Sequence, residues 1–187
     1  MRSARGPLHA VIDEIRDNVD GYGDFLPAPD WKDIQAAAKP DRPLVYMPST
    51  PPGGLALVVT EKAIEPVWLP GLTEEALNEK LEQWFEAYNG WRRAYHNYRQ
   101  FEQEGADTGR SMNEADRSVR RALKHAQWHW HGTIASTIEW LGETTIGPVA
   151  AALLEAGLKQ AAFIPVGALS LLPLHAAAPD DPMVSYA

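Results

Sequence analysis

The chain has 187 residues and a formal net charge of −8, with 25 Asp and Glu against 17 Lys and Arg. Such an acidic balance argues against nucleic acid or an anionic membrane surface as the main partner, and no apolar run approaches the roughly 20 residues that span a bilayer. There is no cysteine, so disulfides, thiolate zinc sites and a thiol nucleophile are excluded, which fits a cytoplasmic location.

Apolar residues make up 45% of the chain, enough for the core of one domain with or without an appendage. The first residues, MRSARGPLHAVIDEIRDN, are too charged after Ala10 for a secretory signal. A short amphipathic helix is expected from about Leu8 to Val19, with Val11, Ile12 and Ile15 on its apolar face. GYGDFLPAPD is a Gly- and Pro-rich connector. A second short helix follows, with Asp30 as N-cap and Asp33 at the third position, ending before Asp41 and Pro43. This helical lead-in occupies residues 1–40.

Residues 43–70 read as strands: Leu44 to Met47, Leu55 to Thr60, and a third ending at Pro70. Their short connections predict an antiparallel meander. PSTPPGG lacks the Lys and the spacing of a phosphate loop and is read as a hairpin turn.

Residues 73–157 read as helices. Leu77, Leu81, Trp84, Phe85, Tyr88, Trp91, Tyr95 and Tyr98 form one wide stripe on a helix to about Phe101. Gly90 inside it suggests a close contact, since glycine there costs about 1 kcal/mol against alanine. After a polar loop, EQEGADTGR, Ser111 and Glu114 form a capping box. The next stripe is Ala115, Val119, Ala122, Ala126, Trp130, Ile134, Ile138 and Leu141. The pair should pack as an antiparallel hairpin, each helix about 40 Å long. A break near Gly142, a helix opening at Pro148 and a C-cap at Gly157 come next. In 160–187, AAFIPVG has almost no polar side chain and suits a buried parallel strand.

The candidate chemistry is sparse. His125 and His129 share a helix face, but Arg121 lies one turn away, no carboxylate completes the set, and His131 points elsewhere. Trp84, Trp91, Trp128, Trp130 and Tyr95 could form a platform for bases or sugars; at helical spacing they are read as core or domain packing. Trp128 lies opposite Trp130, so the helix is either buried on two sides or carries an exposed apolar patch. Arg117, Arg120, Arg121 and Lys124 form a small basic cluster, read as a solvated face, with phosphate or an acidic peptide as the alternative. Ser49 and Ser170 have no base placed by spacing. No residue is assigned a catalytic, cofactor-binding or metal-ligating role, and no cofactor is expected.

The segment from Trp140 carries the most specific pattern. A Trp140–Leu141 pair is followed by a helix opening on Pro148–Val149. Then comes a strand running into Ile164, Pro165, Gly167 and Leu169, and a Leu-Pro-Leu-His-Ala-Ala run from Leu172 to Ala177. Upstream, GDFLPAPDWKDIQAAA, GGLALVV and VWLPGLT fit the same pattern. Over about residues 10–187 the chain resembles the CHAT domain, the caspase-like module associated with tetratricopeptide repeats.

The resemblance implies an α/β fold: an incomplete caspase-like sandwich with a largely parallel sheet, here a β-meander, a long antiparallel helical hairpin and one buried core strand. For complete members it implies peptide-bond hydrolysis by a cysteine with a histidine base. In the family both residues follow the Leu-Pro-Leu-His-Ala-Ala run, so His175 belongs to the structural run and is not the base. The expectation is the N-terminal part of one CHAT-like domain, truncated before the catalytic His and Cys and inactive as it stands. Its expected partners are the remainder of its own domain or a complementary chain, with tetratricopeptide repeats in the parent protein. Two other readings compete. One is an inactive binding or scaffold module acting through the hairpin, which requires Trp128 to be exposed. The other is a metal or ligand sensor at His125 and His129, which requires a nearby carboxylate or third His.

Overall fold

The computed structural model describes residues 5–23, 25, 30–108 and 114–177. The chain divides into two compact units, Met1–Ala37 and Ala38–Ala187. In the first, α1 (Arg5–Asn18) is followed by a turn that Arg16 closes, its Nε donating to the Phe25 carbonyl at 2.8 Å. α2 (Trp31–Ala37) starts as its sequence predicts. The Asp30 N–H donates to Asp33 Oδ2 at 3.1 Å, the return arm of a capping box.

The second unit is mixed α/β. Its strands are β1 (Leu44–Met47), β2 (Ser49–Thr50), β3 (Gly53–Val59), β4 (Ile64–Leu69) and β5 (Ala162–Pro165). β1 and β2 take one edge of β3 and β4 takes the other, all antiparallel. That is the expected meander. β5 pairs parallel with β1, Leu44 opposite Ala162 and Met47 opposite Pro165. β5 is thereby the last strand in the order, next to β1. The strand pattern follows side-chain alternation. Val45 and Met47 of β1 and Ala56 and Val58 of β3 are buried among Leu77, Leu141, Ile146, Val149 and Leu153 from the helices. Tyr46, Leu55 and Leu57 on the opposite face are half-buried, and Trp68, paired with Leu55, is 72% exposed.

α3 (Glu74–Thr108) and α4 (Glu114–Leu141) pack along each other. Trp84 meets Trp130, and Tyr98 meets Arg120. The numbering rises on one helix as it falls on the other, so the hairpin is antiparallel. α3 runs seven residues past the expected end at Phe101. Glu102, Gln103, Glu104 and Ala106 are all good helix formers, so the polarity of that stretch marks solvent rather than a loop. Ser111 of the expected capping box lies outside the described residues. Gly90 makes no close contact: a methyl built there would meet nothing within 4 Å.

The expected break near Gly142 is absent. A single π-helical turn, Gly142–Ile146, carries α4 into α5 (Gly147–Glu155), with the Gly147 N–H bonded to the Gly142 carbonyl. A Cβ at Gly147 would sit 2.8 Å from that same oxygen, so glycine is what admits the wide turn. Past the end of α5 at Glu155 comes Gly157, which has φ +74°, and the Leu158 N–H closes back to the Leu153 carbonyl at 2.8 Å. The apolar run after β5 forms two 3-10 turns, Gly167–Leu171 and Leu174–Ala177, which bury Leu169 and Leu174.

Candidate functional site

In open α/β sheets the loops after parallel strands gather the reacting groups. At that end of β1 and β5 lies a cleft of about 280 Å³, lined by Pro48, Ser49, Glu74, Leu77, Asn78 and Val166–Ala168. Ser49 reaches it because β2 continues β1 past Pro48 in the same register on β3, beyond the end of β5. Glu74 and Asn78 reach it because α3 starts beside Thr50, which bridges to Thr73. Among the described residues no histidine lines the cleft, so Ser49 has polar neighbours and no imidazole base among them. Sequence spacing does not reveal this cleft, because its walls come from three separate stretches of the chain, at Ser49, Glu74 and Val166; the turn after FIPVG is its one local signal.

Ser170 lies outside it, its hydroxyl donating to the Gly167 carbonyl at 2.7 Å. His175 is on the second 3-10 turn and is exposed. Neither is brought to the strand ends as part of a nucleophile–base pair.

The remaining candidates sit on the hairpin. Trp84, Tyr88 and Trp130 hold it together across α3 and α4, whereas Tyr95, expected in the core, is exposed. Trp84 and Trp130 meet edge-on with centroids 4.5 Å apart, Tyr88 lies 5.5 Å from Trp130, and Trp91 stacks on Tyr95 at 5.9 Å. Such pairs each add about 0.5–1.5 kcal/mol beyond the area they bury. Trp128 takes no part and is 78% exposed.

His125 and His129 line a cleft of about 230 Å³ together with Glu86, Gly90, Trp91 and Arg93. Arg93 adds a second cation beside the histidines, besides Arg121 one turn away. Thr133 lies beside His129, with Oγ1 3.5 Å from Nδ1 and donating to the His129 carbonyl at 3.1 Å. Among the described residues no three His, Cys, Asp or Glu side chains come together as a metal-binding group.

Towards the tip, Arg117, Arg120, Arg121 and Lys124 line a cleft of about 570 Å³ with Tyr98, Leu123 and Gln127. Arg120 stacks over the Tyr98 ring, 5.2 Å from its centroid, and its Nη2 lies 3.9 Å from Glu102. The Tyr98 hydroxyl donates to Glu102 Oε1. That bond holds the phenol proton and raises Tyr98 above the ordinary tyrosine range, with Arg120 opposing it.

Among the described residues no helix is long and apolar enough to cross a membrane. Comparison with protein-family models, with curated proteins and with solved structures returns no match.

Proposed function

We propose that residues 1–187 are the non-catalytic N-terminal part of a caspase-like α/β domain of the CHAT type. The observation that supports this reading is the parallel pairing of β5 with β1 across the intervening helices. A caspase-like sheet needs that pairing, and a simple antiparallel meander does not. The parent would hydrolyse peptide bonds through a Cys–His pair, or serve as a degenerate effector. This chain supplies no thiol. Among the described residues its strand-end cleft supplies a serine without a histidine. The partner of this part is the remainder of the domain, on the same or a complementary chain, with tetratricopeptide repeats beside it in a cytoplasmic protein.

The test has two arms. Residues 1–187 are expected to hydrolyse no member of a peptide library. A longer polypeptide encoded by the same reading frame is expected to add strands beyond β5 and to bring a His and a Cys to strand ends. Hydrolysis by 1–187 that survives His175→Ala, or a longer chain whose sheet gains no strand next to β5, refutes the reading.

The exposure of Trp128 favours a second reading, in which the hairpin is a docking module. A large aromatic side chain open to water on a helix otherwise rich in charge is a typical interface anchor.

A further inference from the structure

The two hairpin helices carry opposite charge on their outward faces. On α4, Arg117, Arg121, Lys124 and Trp128 follow one another at steps of four, three and four, and all are exposed. On α3, Glu75, Glu79, Glu82 and Glu86 follow the same steps and are equally exposed. Steps of this kind keep side chains on one line along a helix, and eleven residues span about 16 Å. Neither line is neutralised among the described residues. Among the described residues no opposite charge lies within salt-bridge distance of any of these seven ionised groups. The two lines occupy different parts of the hairpin. The pairings of Trp84 with Trp130 and Tyr98 with Arg120 put the acidic line near the sheet and the basic line near the tip. They therefore cannot satisfy each other in one molecule.

From this juxtaposition we infer that the α4 face of one copy docks on the α3 face of a second copy. Of the two registers that the equal spacing allows, the parallel one sets Arg117, Arg121 and Lys124 against Glu75, Glu79 and Glu82. That register also brings Trp128 to Phe85, which flanks the acidic line and is 43% exposed. Charge pairs set the register and the aromatic contact excludes water, the division of labour usual at protein interfaces. In one such contact the first copy keeps its acidic face and the second its basic face for a further copy. The inference rests on the docking reading of the hairpin and names its partner. It does not depend on the caspase-like reading of the sheet.

Sedimentation equilibrium of the whole chain tests it. At about 50 mM salt the average mass is expected to rise with concentration above that of one chain. At about 500 mM it should return to one chain, because exposed charges are then screened within a few ångströms. The triple variant Arg117→Glu, Arg121→Glu, Lys124→Glu is expected to stay single at low salt. So is the triple variant Glu75→Lys, Glu79→Lys, Glu82→Lys. An equimolar mixture of the two should associate again, since every face then meets its opposite. Trp128→Ala should weaken association about tenfold. A chain that stays single at low salt up to several hundred micromolar overturns the inference, as does association indifferent to salt or to either triple variant, or a mixture that stays dissociated. Acrylamide quenching of dilute protein, taken as the difference from Trp128→Phe, separates the two levels. A quenchable Trp128 without self-association removes only the second copy as partner, whereas a shielded Trp128 in the single chain removes the docking reading as well.

Discussion

Replacing Gly54 by alanine probes the tightest contact between the sheet and the loop that leads into α3. Gly54 lies in β3 between Ser49 on one side and Leu69 on the other. Its φ lies outside the left-handed region, so nothing in the backbone demands glycine. The constraint is space. A Cβ there would lie 2.8 Å from both Cβ and Cδ2 of Leu72 and 3.0 Å from its Cγ. Leu72 is fully buried and cannot swing into solvent. An added methyl against such a side chain costs about 1–3 kcal/mol. Loss of glycine entropy in the unfolded chain returns about 0.4–1 kcal/mol. The expected net destabilisation is about 1–2 kcal/mol, read as a lower urea midpoint at unchanged slope. Leu72→Ala alone should cost about 2–5 kcal/mol, because it leaves a cavity. In the double variant the methyl at 54 no longer meets Cγ and Cδ2 of Leu72, although alanine at 72 keeps the Cβ 2.8 Å away. The two changes should therefore cost less together than their sum, by 0.5 kcal/mol or more. A neutral or stabilising Gly54→Ala, or strict additivity in the double variant, would refute the packing argument.

Gly90→Ala is the counterpart: with open space at its Cβ and a helical backbone, it should stabilise by about 0.5–1 kcal/mol in the same urea titration, and a loss would mean a hidden contact. Thr137 is fully buried and its Oγ1 finds no hydrogen-bond partner among the described residues, so Thr137→Val should raise stability by about 1 kcal/mol; a destabilised variant would show that the hydroxyl is satisfied. Tyr98 should titrate above the ordinary tyrosine value in a tyrosinate absorbance difference against Tyr98→Phe, and Glu102→Gln should remove most of the shift. Because the folded value is raised, any stability from this bond is present below the unfolded value of about 10 and is lost as pH rises through the folded one, and a Tyr98 titrating at or below 10 would contradict the bond to Glu102.

Much of the secondary structure is written in residues close together along the chain. The 3.6-residue stripe from Leu77 to Tyr98 and the one ending at Leu141 define two helices, and their connection makes them a hairpin. The runs at Leu44, Leu55 and Phe163 define strands, and the short links among the first three strands make a meander. The lack of cysteine is likewise a property of the sequence alone, and it removes thiol chemistry without reference to any fold. Tertiary structure decided the rest. That β5 lies beside β1 is a contact across more than a hundred residues, which no local period encodes. The wide turn at Gly142 replaces a break because a tertiary path through Ile146 and Val149 keeps the helix going and Gly147 leaves room for the carbonyl. Gly90 gave the same local signal as a packed glycine, yet it faces open space, because what surrounds a Cβ is set by neighbours from other segments. The cleft of Ser49, Glu74 and Asn78 was illegible for the same reason: its walls meet only when α3 starts beside β2 and β5 settles next to β1. Trp128 could be read as either exposed or doubly buried, since a helix period gives the face of a side chain but not what stands opposite that face.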